Sequence, residues 1–301
     1  MKLSLIIPCY NEEGNILPLY EKVRATFDGV LPEYEFVYVN DGSSDQTGPV
    51  LRQLAEETDA LLRVVNFSRN FGKEAAILAG LREATGDLLC LMDGDLQQSP
   101  EVVLSMIRYL EDHPDCDCVT AVQESRDENP LMVFFKDSFY KIINLVTDTH
   151  FEPNASDFRT FRRSMADVIT ALPEKQRFSK GIFAWIGFQT HYIPYTADER
   201  LTGTSKWGFV KLMKYAIDGI LSYTVKPLKF ALGAGAVSTV AAVFSLGRKT
   251  PAGKALVLGT SGVQLLCLGI LGEYVARLYT EALGRPVYII KDVLHSKGID
   301  D

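Results

Sequence analysis

The 301-residue chain has five cysteines and no C-x-x-C pair among them, which argues against zinc or a disulfide framework and suits a reducing compartment. Cys116-x-Cys118 is a close pair, but no further Cys/His cluster stands by to complete a metal site. Excess basic charge is also lacking. Lys and Arg number 31 against 38 Asp and Glu, a net charge of −7, so there is no electrostatic footprint for nucleic acid. The N-terminus opens straight into an apolar strand, so no cleavable signal peptide is expected. Charge is absent altogether from Phe230–Leu246 and Ala255–Gly272, runs of 17 and 18 residues.

What is present is organised around strand ends. Leu88-Leu89-Cys90-Leu91-Met92 runs into Asp93-Gly94-Asp95, placing hard oxygen ligands at the carboxyl edge of a sheet, where ligands bind in open α/β folds. Two carboxylates one residue apart suit Mg²⁺ or Mn²⁺, which complete their shells with water and substrate phosphates. The same D-x-D occurs in ordinary turns, and in aspartyl-phosphate phosphohydrolases. Leu96-Gln97 follows here where the latter have Gly-Thr. Two further strands break into polar turns: Leu3–Pro8 before Cys9-Tyr10-Asn11-Glu12-Glu13, and Glu35–Asn40 before Asp41-Gly42-Ser43-Ser44-Asp45. Ser44 or Asp45 is placed to cap the next helix. On successive parallel strands the three clusters converge on one crevice.

Before Pro227, apolar strands alternate with the amphipathic stretches Leu17–Phe27, Val50–Glu57, Glu74–Ala84 and Glu101–Leu110. Such alternation predicts βα units and a mostly parallel sheet. After Pro227 the two uncharged runs would each be about 26 Å long as helices, close to the hydrocarbon thickness of a bilayer. A two-helix transmembrane hairpin is the expectation, with a buried hairpin as the alternative. Lys211, Lys214, Lys226, Lys229, Arg277, Arg285, Lys291 and Lys297 flank it, against Arg248, Lys249 and Lys254 between the runs. That asymmetry places both termini in the cytoplasm. Leu131–Val146 and Lys206–Tyr223 interleave aromatic and basic residues as interfacial helices do, or pack on the sheet.

Pro8-x-Tyr10-Asn11-Glu12, Asn40-Asp41-Gly42-Ser43-x-Asp45, Ser68-Arg69-Asn70-Phe71-Gly72-Lys73, Asp93-x-Asp95-x-Gln97 and Gly203-x-Ser205-Lys206-Trp207 stand in that order. In this the chain resembles the family 2 inverting glycosyltransferases. Within them it is most similar to the polyisoprenyl-phosphate glycosyltransferases, which include bactoprenol glucosyltransferases and dolichol-phosphate mannose synthases. With the change of composition near Pro227, the resemblance implies an α/β, Rossmann-like GT-A catalytic domain over residues 1–205. An interfacial amphipathic helix over 206–227, two transmembrane helices over 228–280 and a cytoplasmic tail over 281–301 would follow. The implied location is the inner cell membrane, multi-pass, with the catalytic domain in the cytoplasm.

The implied activity is metal-dependent hexosyl transfer from a nucleotide sugar, best read as UDP-glucose, to a polyisoprenyl phosphate in the lipid bilayer. A GDP-mannose donor and a silent scaffold that binds nucleotide sugar or lipid phosphate are the alternatives, and a homo-oligomer stays open. Charge builds on the leaving diphosphate, so a cation on Asp95, with Asp93 nearby, would stabilise its departure. Lys73, just after the strand Leu62–Phe67, offers a second positive charge. By resemblance, Pro8, Tyr10, Asn11, Glu12 and Asp41 belong to the nucleotide site, and Gln97 lies near donor and metal. Arg126, Arg200, Ser205 and Lys206 are implied for the acceptor phosphate. Asp157-Phe158-Arg159 matches a motif whose aspartate is often called the catalytic base. A phosphate monoester, with a second pKa of about 6, needs no base at neutral pH, so Asp157 could instead orient the acceptor or a cation.

Overall fold

The computed structural model describes residues 1–124, 141, 143–144, 147, 152–153, 155–198, 224–245 and 251–297. The described residues fall into two compact units, the first a sheet with its helices and the second helical.

In the first unit, strands and helices alternate as β1 (Lys2–Cys9), α1 (Ile16–Phe27), β2 (Glu33–Asn40), α2 (Thr47–Glu57), β3 (Leu61–Phe67), α3 (Lys73–Glu83), β4 (Leu88–Leu91) and α4 (Pro100–Asp112). The strands lack a polar face because both faces are covered, as parallel strands require. Leu5, Ile6 and Ile7 of β1 and Val37, Tyr38 and Val39 of β2 are all fully buried. β1 pairs in parallel with both β2 and β4, and β2 with β3. The chain thus builds outward through β2 and β3, then returns to place β4 on the other side of β1. The crevice between the ends of β1 and β4 is the switch point at which such sheets bind ligands.

β5 (Cys118–Gln123), β6 (Ala155–Arg162), α5 (Arg163–Ala171), α6 (Ser179–Trp185), β7 (Thr190–Tyr195) and β8 (Ile290–His295) complete the unit. The full strand order is β7-β5-β6-β4-β1-β2-β3-β8. β6 lies antiparallel to β4, with Leu91 opposite Arg159. Continuing that register by two residues sets Asp93 opposite Asp157. Residues 281–301, read from the sequence as a tail, include β8, which pairs antiparallel with β3. Ser296 Oγ accepts from Leu62 N–H at 3.0 Å and donates to the Ala60 carbonyl at 2.7 Å, and Tyr288 stacks on Phe67 at 5.0 Å. These contacts were invisible to a reading by periodicity, because six residues beyond a long helix carry too short a pattern.

The far edge of the sheet holds a carboxylate of another kind. Glu35 is 1% exposed and accepts from Ser4 Oγ at 2.5 Å and Thr85 N–H at 2.6 Å. Burial pushes its carboxyl up, but these bonds and Lys2 outweigh burial and hold it low. It is a satisfied structural group.

In the second unit, α7 (Lys226–Ser245) packs along α8 (Pro251–Ala282). Tyr274 Oη donates to the Thr224 carbonyl, Cys267 Sγ to that of Ala231, and Ser238 Oγ to that of Thr260, at 2.7, 3.2 and 3.0 Å. Each rung lies seven residues from the last, an antiparallel seam of polar and small residues. Phe230, Leu232, Val240, Leu265 and Leu266 remain exposed. Among the described residues, no helix is long and apolar enough to cross a membrane. That finding overturns the expected transmembrane hairpin and, with it, the multi-pass inner-membrane location with a cytoplasmic catalytic domain. Lack of charge over 230–246 and 255–272 suggested the spans, and Gly233, Gly235, Ser238, Thr239, Gly259, Thr260, Ser261 and Gly262 within those runs suit close helix packing instead. The expected interfacial helices, at 131–146 and 206–223, fall almost wholly outside the described residues.

Candidate active site

The loops after β1 and β2 are sewn together. Asn11 N–H donates to Ser43 Oγ at 3.0 Å, and Asn11 Oδ1 accepts from Ser44 N–H at 2.8 Å. Glu12 N–H donates to Thr47 Oγ1 at 2.8 Å, and Glu13 accepts from Gln46 N–H at 2.7 Å. Asp45 Oδ1 takes Thr47 N–H at 3.0 Å at the start of α2, but the N-cap residue is Gln46, which makes no side-chain cap, rather than Ser44 or Asp45. Pro8, half-buried, and the buried Cys9 end β1, and Tyr10 beyond them is 40% exposed.

Asp41, buried at the end of β2, reaches the third loop. Its two carboxylate oxygens accept from Phe71 N–H at 2.6 Å and Gly72 N–H at 2.9 Å. Burial pushes its carboxyl up, against those two bonds. Gly42 beside it has φ +61°, and an added Cβ would overlap the backbone of Arg69 and Asn70. Only glycine lets these loops meet.

The loop after β4 is held under strain. Asn11 and Leu96 are the non-glycine residues with positive φ among those described, at +54° and +63°. Such conformations cost of order 1–3 kcal/mol each and persist where surrounding structure enforces them. Gln98, 4% exposed, clamps Asp93 from both sides: its Oε1 accepts Asp93 N–H at 2.8 Å, and its Nε2 donates to Asp93 Oδ2 at 3.0 Å. Asp95 Oδ1 accepts Gln97 N–H at 3.3 Å, while Gln97 Nε2 donates to the Asp198 carbonyl at 3.3 Å. Gln98 carries no signal in the D-x-D-x-Q pattern, since its role depends on the turn at Leu96.

Lys73 Nζ lies 2.7 Å from Asp93 Oδ1 and 2.9 Å from Asp157 Oδ2. The first turn of α3 thus joins the ends of β4 and β6. Burial alone would raise Asp157, but Lys73, Lys180 and Arg159 outweigh it and hold the carboxyl well below the usual range. Burial opposes the charge on Lys73 too, and the two carboxylates overcome that, raising its pKa. Asp157 and Lys73 are therefore both ionised at neutral pH. Arg159 turns away, donating to the Ser156 carbonyl at 2.8 Å and lying 4.1 Å over the Phe183 ring.

Asp93 and Asp95 offer hard oxygens suited to a divalent cation. Among the described residues, no group of three or more His, Cys, Asp or Glu side chains could hold a metal. An ion here would draw the rest of its shell from water and from a diphosphate. Pro8, Tyr10, Asn11, Glu12, Asp41, Lys73, Asp93, Asp95, Gln97 and Asp157 all sit on the strands and loops of this one sheet edge. Arg126, Arg200, Ser205 and Lys206 lie outside the described residues.

Glu74, next to Lys73, was not picked out from the sequence. Its Oε2 accepts both N–H and Oγ–H of Ser179 at the start of α6, the former at 2.8 Å. Burial, with Asp157 nearby, pushes its carboxyl up to about 7. A raised carboxyl pKa favours folding below the unfolded value near 4.5 and loses that advantage as pH rises through 7. The melting temperature of Glu74→Gln should therefore gain on that of the wild type between pH 5 and 7 and level off above. The full difference is of order 3 kcal/mol less whatever the lost Ser179 bonds contribute. A constant offset across that range, measured by thermal melts, would show that Glu74 does not titrate there.

Residues 4–170 match the family model described as Glycosyl transferase family 2. A bactoprenol glucosyl transferase of Shigella phage SfV is 37% identical, the match covering 97% of this chain and 99% of that protein. An uncharacterised glycosyltransferase of Synechocystis is 35% identical over 97% of this chain and 96% of its own length. Among solved structures, mannosyl-3-phosphoglycerate synthase from Rubrobacter xylanophilus shares the fold, with TM-score 0.52 and 11% identity, over 74% of this chain and 73% of that one. Strand order, the loops gathered at the switch point and the near-full-length relatives agree: the chain is a GT-A-fold glycosyltransferase and belongs to glycosyl transferase family 2.

Proposed function

We propose that the protein moves glucose from UDP-glucose onto the phosphate of a polyisoprenyl phosphate. The observation that carries this is the Lys73 bridge, which joins the carboxylate pair of the donor side to Asp157. The relatives named bactoprenol glucosyl transferase, similar over almost their whole length, support the sugar and the lipid.

In this proposal the nucleoside lies across the loops after β1 and β2, against Pro8, Tyr10, Asn11, Glu12 and Asp41. The diphosphate lies toward Asp93, Asp95 and Gln97. A bound Mg²⁺ or Mn²⁺ would supply Lewis-acid stabilisation of the leaving diphosphate, with Asp95 and Asp93 as its protein ligands. Lys73 adds a fixed positive charge beside it. The acceptor phosphate, largely a dianion at neutral pH, attacks the anomeric carbon without a proton to lose. A carboxylate held as low as Asp157 is a weak base, so its part is to aim Lys73 rather than to take a proton. Arg126, Arg200, Ser205 and Lys206 are assigned to the acceptor phosphate.

The test is a panel of UDP- and GDP-sugars incubated with the full chain, Mg²⁺ or Mn²⁺ and polyprenyl phosphate in detergent. UDP release that requires the lipid phosphate and is greatest with UDP-glucose is expected. A preference for GDP-mannose would replace the donor, and nucleotide binding without any turnover would leave a scaffold.

A further inference from the structure

We propose that Asp292, on the C-terminal strand β8, is a positioning residue for the nucleotide-binding turn 41–45, acting through a one-way chain of hydrogen bonds that passes through two buried amides. Ser43 N–H donates to Asn40 Oδ1 at 3.1 Å, Asn40 Nδ2 to Asn66 Oδ1 at 2.9 Å, and Asn66 Nδ2 to Asp292 Oδ1 at 2.7 Å. Both ends are chemically fixed. A backbone N–H can only donate and a carboxylate can only accept, so the two amides between them have one permitted orientation. Asn40 and Asn66 are 7% and 8% exposed, and little water can reach them to substitute for a lost partner.

Without Asp292 the Asn66 Nδ2 loses its acceptor, and the orientation of both amides is held from the Ser43 end alone. A flip there sets NH₂ against NH₂, and a second flip at Asn40 sets NH₂ against Ser43 N–H. Ser43 in turn receives Asn11 N–H, so the disturbance reaches both loops of the donor side. Arg52 stands 3.8 Å from Asp292 and is half-exposed, too loose a contact to fix the orientation by itself.

The inference rests on the nucleotide assignment above, and the test separates the two. Binding of UDP and of GDP, each with Mn²⁺, is measured by calorimetry on the full chain. The better wild-type ligand is then used with three variants. Asp292→Ala should weaken binding about tenfold, the size of one or two lost hydrogen bonds, and raise the donor KM in step with little change in kcat. Asp292→Asn, which still presents Oδ1 to Asn66, should restore most of the affinity. Ser296→Ala loosens β8 at its other end and should lower the melting temperature while leaving the nucleotide Kd unchanged. Wild-type affinity in Asp292→Ala, or no rescue by Asp292→Asn, overturns the positioning role alone. Failure of the wild type to bind either nucleotide overturns the donor assignment and this inference together.

Discussion

Asp95→Asn is expected to lower turnover by at least about 10²-fold while leaving the fold intact. The amide keeps an oxygen where Asp95 Oδ1 accepts Gln97 N–H at 3.3 Å, so the strained turn at Leu96 retains its anchor. What is lost is one negative charge at the place where a divalent cation would meet the leaving diphosphate. In the wild type, EDTA should abolish activity, with Mg²⁺ or Mn²⁺ restoring it. The variant should melt within a few degrees of the wild type. Full activity in chelator, or a variant within about threefold of wild type, would remove the metal from the account.

Lys73→Met should cost as much. Its ammonium separates Asp93 from Asp157, which the antiparallel register of β4 and β6 sets face to face. Two carboxylates left to share a site cannot both stay ionised cheaply, and one takes up a proton. Turnover should fall about 10²-fold or more, with a new ionisation appearing in the pH–rate profile between about pH 5 and 8. Stability should fall as well. A depressed carboxyl such as Asp157 contributes stability above its ordinary value of 3.8, lost only as pH drops toward its lower folded value, and the variant forfeits that at neutral pH. Lys73→Arg should recover part of both losses. An unchanged pH profile in Lys73→Met would mean that the bridge plays no part in the chemistry.

These residues were legible to different degrees. Asp93 and Asp95 stood out because an apolar strand runs directly into them, and strand ends can be read from a few residues. Lys73 was seen as a cation after a strand, but not as a bridge, since its partners lie 20 and 84 positions away in sequence. Asp157 comes alongside because β6 enters the sheet antiparallel, a reversal with no signature in local periodicity. Gln98 and Glu74 escaped notice for the same reason: one acts through a left-handed turn, the other through a serine 105 residues on. The helical runs misled in the other direction. The absence of charge over 230–246 and 255–272 suggested two spans, but among the described residues no helix is long and apolar enough to cross a membrane.

The most direct test of the account is the anomeric configuration of the lipid product. The full chain would be incubated with polyprenyl phosphate, divalent metal and UDP-glucose labelled at the anomeric carbon, and the extracted lipid read by NMR. UDP-glucose carries an α linkage, so direct attack by the phosphate dianion yields a β-linked glucosyl phosphate. Labelled lipid with the α linkage would require two displacements and a covalent intermediate, and it would contradict the account, as would the absence of labelled lipid.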